Sequence, residues 1–291
     1  MGARAGRVAG FIGLGNQGKP IAANLVAAGF ETVVFDVAPG PLAELAALGA
    51  KPAASAREVG ERADVIAICV PEDRHVRDVV LGANGVLAGA APGAVIAIHS
   101  TILPATALAL AEHATPRGVE VLDACVTGGA ARAAQKQLTF LVGGASEALE
   151  KARPMLEVSA AKIIHAGGLG NGAKLKLCLN LVTYIQWAAA FESFQLAKAT
   201  GLPQELLEEA GRANGQLTPL MQAFLALHKA PEEARRAAGM QSLLRGHMNV
   251  AEKDLAWALE LARQAGVSLP VGGLVAQLMA RIYGVEDGGR R

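Results

Sequence analysis

Two hydrophobic patterns divide the chain. Through the first half, compact apolar runs alternate with stretches whose apolar residues recur at helical spacing. Val8–Ile12 is the first run, and residues 20–28 behind it predict a helix. Residues 32–35 predict a second strand, followed by a helix from about 41 to 48. Further buried strands are predicted at 64–70, 94–98 and 119–122, with helices at 73–80 and 104–113, and strands at 138–142 and 162–164 complete the series. Strands this uniformly apolar, alternating with helices, imply a parallel sheet covered on both faces.

The pattern changes at Ala166-Gly167-Gly168-Leu169-Gly170-Asn171-Gly172. Beyond it no run reads as a strand. Residues 173–199 predict one long helix, stopped by Gly201 and Pro203, and helices follow at 203–211, 218–228, 241–264 and 271–283. The expected architecture is therefore α/β: a sheet domain over residues 1–166 plus an all-helical domain over 167–291, joined by a long helix.

Composition narrows the function classes. The net charge of +1 leaves no global field to hold nucleic acid or an acidic membrane. Aromatics at 4% offer few platforms for unpaired bases. Cys69, Cys125 and Cys178 are scattered, without a CxxC pair, which predicts buried thiols in a reducing compartment and neither a disulfide framework nor a zinc site. The six histidines show no HxxxH spacing, so no metal is expected. The apolar stretch after Arg7 runs into Gly13, Gly15 and Gly18, and no run of about 18 apolar residues exists. These features predict a soluble cytoplasmic protein.

Gly13-Leu14-Gly15-Asn16-Gln17-Gly18 fits G-x-G-x-x-G between a predicted strand and a predicted helix. Gly13 permits the tight turn, Gly15 lets a pyrophosphate approach the backbone, and Gly18 lets the helix pack closely on its strand. Asp36 stands 23 residues beyond Gly13, at the end of the second strand. A carboxylate there accepts hydrogen bonds from both ribose hydroxyls and repels a 2′-phosphate. No Arg or Lys follows until Lys51, so NAD rather than NADP is expected. Val70 and Pro71 at the end of the 64–70 strand, with His75 in the helix behind it, complete the cofactor set read in this way.

In open α/β sheets chemistry collects beyond the carboxyl ends of the strands. His99-Ser100-Thr101 follows one strand, and Asp123 to Ala130 follows the next. There Thr127 offers a hydroxyl, and Gly128 and Gly129 offer exposed amides for a substrate carboxylate. On the long helix, Lys176 and Asn180 are four residues apart and share a face, whereas Lys174 points elsewhere. A lysine near a buried domain junction can have its charged form disfavoured and then serves as a proton acceptor, whereas the pair taken alone reads more readily as carrying a solvated surface charge. Tyr184 and Trp187, further along, read as core or interface.

In this order the pieces resemble the β-hydroxyacid dehydrogenase family, which includes 3-hydroxyisobutyrate dehydrogenases and tartronate semialdehyde reductases. Residues 11–29 look like its cofactor signature, residues 123–130 like its D-A-P-V-S-G-G segment, residues 170–180 like G-x-G-x-x-x-K-x-x-x-N, and Lys253-Asp254-Leu255 like its K-D-L. The resemblance implies a Rossmann-like N-terminal domain and NAD-dependent oxidation of a small β-hydroxy carboxylate. It also implies homodimers or homotetramers built through the helical domains. Lys176 would be the general acid/base, and Asn180 would hold the hydroxyl or the lysine. Thr127, Gly128 and Gly129 would bind the carboxylate. Thr101 would lie near the nicotinamide, and Lys253 and Asp254 would close the site, Lys253 toward the cofactor and Asp254 toward the substrate.

The sequence also departs from the family. Thr127 replaces serine, Cys125 replaces proline, Ile98-His99 replaces an acidic-apolar pair, Lys136 stands where glycine is common, and Leu179 replaces a polar residue. These changes leave the reaction class intact and bear on the substrate. Two rivals share the architecture. Imine reductases generally lack the lysine and favour NADP, and non-catalytic cofactor-binding scaffolds have lost the lysine; Lys176, Asn180 and Asp36 weigh against both.

Overall fold

The structure, a computed structural model, describes residues 7–286. The chain divides into two compact units, residues 1–176 and 177–291.

The first unit follows the predicted alternation. Its elements are β1 (Val8–Ile12), α1 (Gly18–Ala27), β2 (Glu31–Phe35), α2 (Pro39–Ala47), β3 (Lys51–Pro52), α3 (Ala56–Arg62), β4 (Val65–Ile68) and α4 (Asp73–Leu81). After these come β5 (Val95–Ile98), α5 (Pro104–Ala114), β6 (Glu120–Thr127), α6 (Gly129–Ala134), β7 (Leu138–Gly143), α7 (Ser146–Leu156) and β8 (Ala160–His165). The eight strands form one sheet in the order β3-β2-β1-β4-β5-β6-β7-β8. Successive side chains on a strand face opposite ways. Phe11 accordingly enters one core, with Leu25, Phe140 and Leu149, while Ile12 enters the other, with Ile66, Ile96 and Leu110. Each such side chain, fully buried, contributes about 1.5–3 kcal/mol.

The sheet departs from the all-parallel expectation at one pair. β7 runs antiparallel to β6, with Asp123 opposite Gly143 and Thr127 opposite Thr139. A parallel pair needs a crossover of a dozen or more residues, and residues 128–137 with the six-residue α6 are too short for one. The pairing also lengthens β6. Residues 120–123 pair with β5 and residues 123–127 with β7, so residues 123–127 of the segment expected beyond the strand end lie within the strand. Lys136, between α6 and β7, takes a left-handed backbone (φ 60°), the conformation that suits glycine.

The long helix α8 (Asn171–Ala199) carries the chain from the first unit into the second. There follow α9 (Gln204–Ala213), α10 (Pro219–Lys229), α11 (Glu232–Arg236), α12 (Ala238–Ala265), α13 (Pro270–Gln277) and α14 (Met279–Tyr283). The single helix expected over 271–283 is interrupted at Leu278 (φ −98°, ψ 0°), between α13 and α14. Tyr184, Trp187, Phe191, Phe224 and Tyr283 belong to the core of this unit. The Trp187 ring stacks on Phe224 at 4.8 Å, and Tyr283 meets it edge-on, so the aromatics of α8 serve packing, as their sequence reading held. Among the described residues no helix is long and apolar enough to cross a membrane.

Candidate active site

The sheet order reverses direction at β1, and a ligand of such a sheet lies outside the carboxyl ends of the strands at that point. Gly13 leaves β1 there with φ +91°, and its N–H donates to Phe35 O (3.0 Å). A Cβ on Gly13 would stand 2.3 Å from Cys69 O, and one on Gly18 would stand 1.9 Å from Gly13 O. Both positions therefore require glycine for close backbone approach. Gly15 is different: nothing lies within 4 Å of its would-be Cβ, and it is exposed together with Asn16. The Asp36 carboxylate accepts the Leu14 N–H (2.5 Å) and the Ala38 N–H (2.7 Å), which pins it beside the turn. Gln17 Nε2 and His75 Nδ1 are buried without hydrogen-bond partners among the described residues. Open backbone at Gly15 and two such nitrogens fit a ligand rich in phosphate and hydroxyl oxygens.

The neighbouring strand ends are laced together by side chains. Val70 N–H donates to Ser100 Oγ (2.9 Å), and the Cys125 thiol donates to Ser100 O (3.3 Å). Asp73, in the first turn of α4, accepts from Leu103 N–H (3.0 Å) and Thr106 Oγ1 (2.6 Å), tying α4 to the start of α5. Pro71 is exposed, whereas Thr101 is partly buried. His99, buried between Phe11 and Phe140, makes its Nδ1 contact with Ala124 O (2.9 Å). Burial pushes its pKa down to about 4, against the opposing pull of that hydrogen bond, so at neutral pH it is uncharged core.

At the far end of β6, Thr127 is partly buried, and Gly128 and Gly129 are exposed with φ of 128° and 72°. Both φ values lie in the region that favours glycine. Asp123, on the same strand, is fully buried. Its Oδ1 accepts the Gly170 N–H (2.8 Å) and its Oδ2 the Ala173 N–H (2.6 Å), at the start of α8. Burial raises its pKa above the usual carboxylate range, while the N–H groups of Ala173, Gly170 and Gly172 pull it down. Lys176 lies one turn further along α8 and is partly buried.

In the second unit Asn180 is buried, and its Nδ2 donates to Asp254 Oδ2 (2.6 Å). Tyr184 O–H donates to the same oxygen (3.1 Å). Burial, with the charge of Asp254 beside it, holds the Tyr184 hydroxyl well above its ordinary pKa, so it stays a donor. Lys253 Nζ stands 3.0 Å from Asp254 Oδ1. Because a carboxylate only accepts, Asn180 must turn its amide nitrogen to Asp254, which leaves its Oδ1 as an acceptor for another group.

The structure thus brings Leu14 to Asp36 and Asn180 to both Asp254 and, through it, Lys253. Asp254, expected on the substrate side, is 2% exposed and engaged with Asn180 and Tyr184. The sequence reading had no signal for the contacts of Asp73, Ser100 and Tyr184, or for the bond from Asp123 to α8. All of these join residues remote in sequence.

A glycine turn at the reversal point of a mostly parallel sheet, followed by a helical unit, defines a dinucleotide-binding oxidoreductase. Residues 8–168 match the family described as the NAD binding domain of 6-phosphogluconate dehydrogenase, and residues 170–290 match that described as NAD-binding of NADP-dependent 3-hydroxyisobutyrate dehydrogenase. The chain is 37% identical to an NAD-dependent L-serine dehydrogenase of Pseudomonas aeruginosa, over 92% of this chain and 89% of that one. It is 36% identical to a 3-hydroxyisobutyrate dehydrogenase of the same organism, over 93% and 90%. A solved 3-hydroxyisobutyrate dehydrogenase of Mycobacterium tuberculosis with L-serine superposes with a TM-score of 0.78 at 32% identity, covering 96% of this chain and 94% of that one. The chain belongs to the 3-hydroxyisobutyrate dehydrogenase family of β-hydroxyacid dehydrogenases, NAD(P)-dependent oxidoreductases acting on CH–OH groups.

Proposed function

We propose that this enzyme uses NAD to oxidise, reversibly, a small carboxylate bearing a hydroxyl on its β carbon, with Lys176 as general acid/base. The observation that carries this reading is the pair on α8: Lys176 lies one turn before Asn180, whose amide is held by Asp254. The relatives named for L-serine and 3-hydroxyisobutyrate support the substrate class, since both acids carry that hydroxyl. The cofactor would be held by the glycine turn and by Asp36, with Gln17, Val70, Pro71, His75 and Thr101 around it, and when bound it supplies the two-electron acceptor for hydride. The Asp36 carboxylate favours the 2′-hydroxyl of NAD over the 2′-phosphate of NADP.

In this mechanism Thr127 Oγ1 and the amides of Gly128 and Gly129 hold the carboxylate. In its neutral form the Lys176 amine takes the hydroxyl proton as the carbonyl forms, and its ammonium returns a proton in the reverse direction. Asn180 Oδ1 accepts from the hydroxyl or the ammonium, keeping both in line. Such acid/base help is worth about 10²–10⁴ in rate. Leu179, Val182 and Leu196 lie exposed along α8, an apolar surface that supports a homo-oligomer formed through this helix.

The test is a panel of L-serine, 3-hydroxyisobutyrate and 2-(hydroxymethyl)glutarate, each with NAD and with NADP, followed by formation of the reduced cofactor. Turnover with NAD is expected, with Lys176→Ala lowering kcat by about 10²–10⁴ while NAD binding persists. A Lys176→Ala enzyme with near-normal kcat overturns the acid/base role.

A further inference from the structure

The carboxylate of Asp123 is the most buried acidic group of the first unit, and neither the hydride chemistry nor the carboxylate cradle uses it. We propose that Asp123 is a positioning residue for proton transfer: it clamps the first turn of α8 and so fixes Lys176 relative to the cradle at the end of β6. The inference rests on the reading of Lys176 as the acid/base.

Three observations carry it. The clamp is two-handed, one oxygen on Gly170 N–H and the other on Ala173 N–H, so it sets both the height and the rotation of the helix start. These amides are among the first N–H groups of the helix or just before it, which no intrahelical carbonyl can satisfy. The seat is also tight. A Cβ on Gly172 would stand 2.3 Å from Asp123 O, and one on Gly143, across the β6–β7 pair, would stand 2.4 Å from Asp123 Oδ1. Finally, Asp123 is the residue at which β6 changes partner, from Ile98 on β5 to Gly143 on β7. Both sides of the strand therefore hold it.

The consequence is metric. Thr127 is four residues from Asp123 on one strand, about 13 Å along it. Lys176 lies three residues beyond Ala173, about 4.5 Å along the helix axis. A single strand thus bears the anchor of the lysine's helix near its middle and the candidate carboxylate cradle at its end. The separation of amine and carboxylate is then fixed by rigid elements rather than by a loop.

Asp123→Asn keeps the shape and one acceptor oxygen but turns an NH₂ toward the second amide. With NAD and whichever acid of the panel the wild-type enzyme oxidises fastest, kcat is expected to fall about 10- to 100-fold, the scale of a misplaced catalytic group. The KM for the acid and the Kd for NAD should stay within about two-fold of wild type. Equal deterioration of kcat, KM and Kd, or no change in kcat, overturns the proposal. If the Asn variant does not fold, as judged by circular dichroism, Asp123→Ser, with its single acceptor, is put through the same measurements and judged by the same outcomes. Lys176→Ala in parallel separates the two readings. If it loses turnover while Asp123→Asn does not, only the clamp is wrong; if it keeps turnover, the acid/base role falls, whatever Asp123 does.

Discussion

In the sheet unit, Asp36, Asp73 and Asp123 each accept backbone N–H groups from segments 22 to 50 residues away in the chain. In the helical unit, Asp254 accepts instead from the side chains of Asn180 and Tyr184. The difference follows from how each architecture satisfies its main chain. Strands end with unpaired N–H groups at the rim of the sheet, and so do helix starts, so carboxylates there capture backbone and shape loops. Within a long helix every amide is already bonded, so a buried carboxylate can only organise side chains. The sheet unit thus commits these carboxylates to main chain, and the helical unit commits its own to side-chain orientation.

That contrast predicts different failures. The largest effect is expected where backbone touches backbone: Gly18→Ala drives a methyl into Gly13 O, at about 3 kcal/mol, and should weaken NAD binding about 100-fold by calorimetric titration. An alanine variant with unaltered affinity would break the account of the turn.

Acid separates the units next. His99 is held near a pKa of about 4 by burial, below its unfolded value of about 6.5. Above about 6.5 it is neutral in both states and contributes nothing to the pH dependence. As pH falls from there toward 4, only the unfolded chain takes up the proton, so stability drops with pH, by about 3 kcal/mol in all. His99→Asn should remove that part of the slope in denaturant melts from pH 7 to 4. His228, also held near 4 by burial and then by the Arg235 charge, adds a slope of the same sign in the helical unit.

Asp254→Asn tests the helical unit. The substituted amide competes with Asn180 and Tyr184 for donors and acceptors, so the melt should lose about 1–3 kcal/mol. The kcat should fall about ten-fold as Asn180 loses its fixed orientation, with NAD affinity nearly constant in fluorescence titration. A loss of NAD affinity as large as the loss of kcat would erase the distinction between the units. The smallest effect is a gain. Lys136→Gly relieves a left-handed lysine and should add about 1 kcal/mol in the melt of the sheet unit.

The sequence made local features legible. The G-x-G-x-x-G turn and Asp36 show because strand, turn and helix are contiguous, and the strands show because both faces of the sheet are covered. The glycine that the family resemblance implied at position 136 suits the positive φ that Lys136 adopts. Long-range closure was not legible. The two-residue β3 is made by pairing with β2 and has no pattern of its own. The reversed β7 follows from a short connection whose length matters only once β6 is known to extend to Thr127. The break at Leu278 has no glycine or proline to announce it. Asp123 showed as a member of a motif, but its partners 47 and 50 residues onward could not be read without the fold.

The doubly committed strand β6 limits how this enzyme can be re-engineered. Lengthening the turn after Thr127 to admit a bulkier acid would shear a ribbon that is parallel on one side and antiparallel on the other, dragging the lysine-bearing helix along with it. On the proposed role of Thr127, room for a new substrate is better sought by trimming individual side groups, such as its methyl, which leaves the scaffold's spacing untouched.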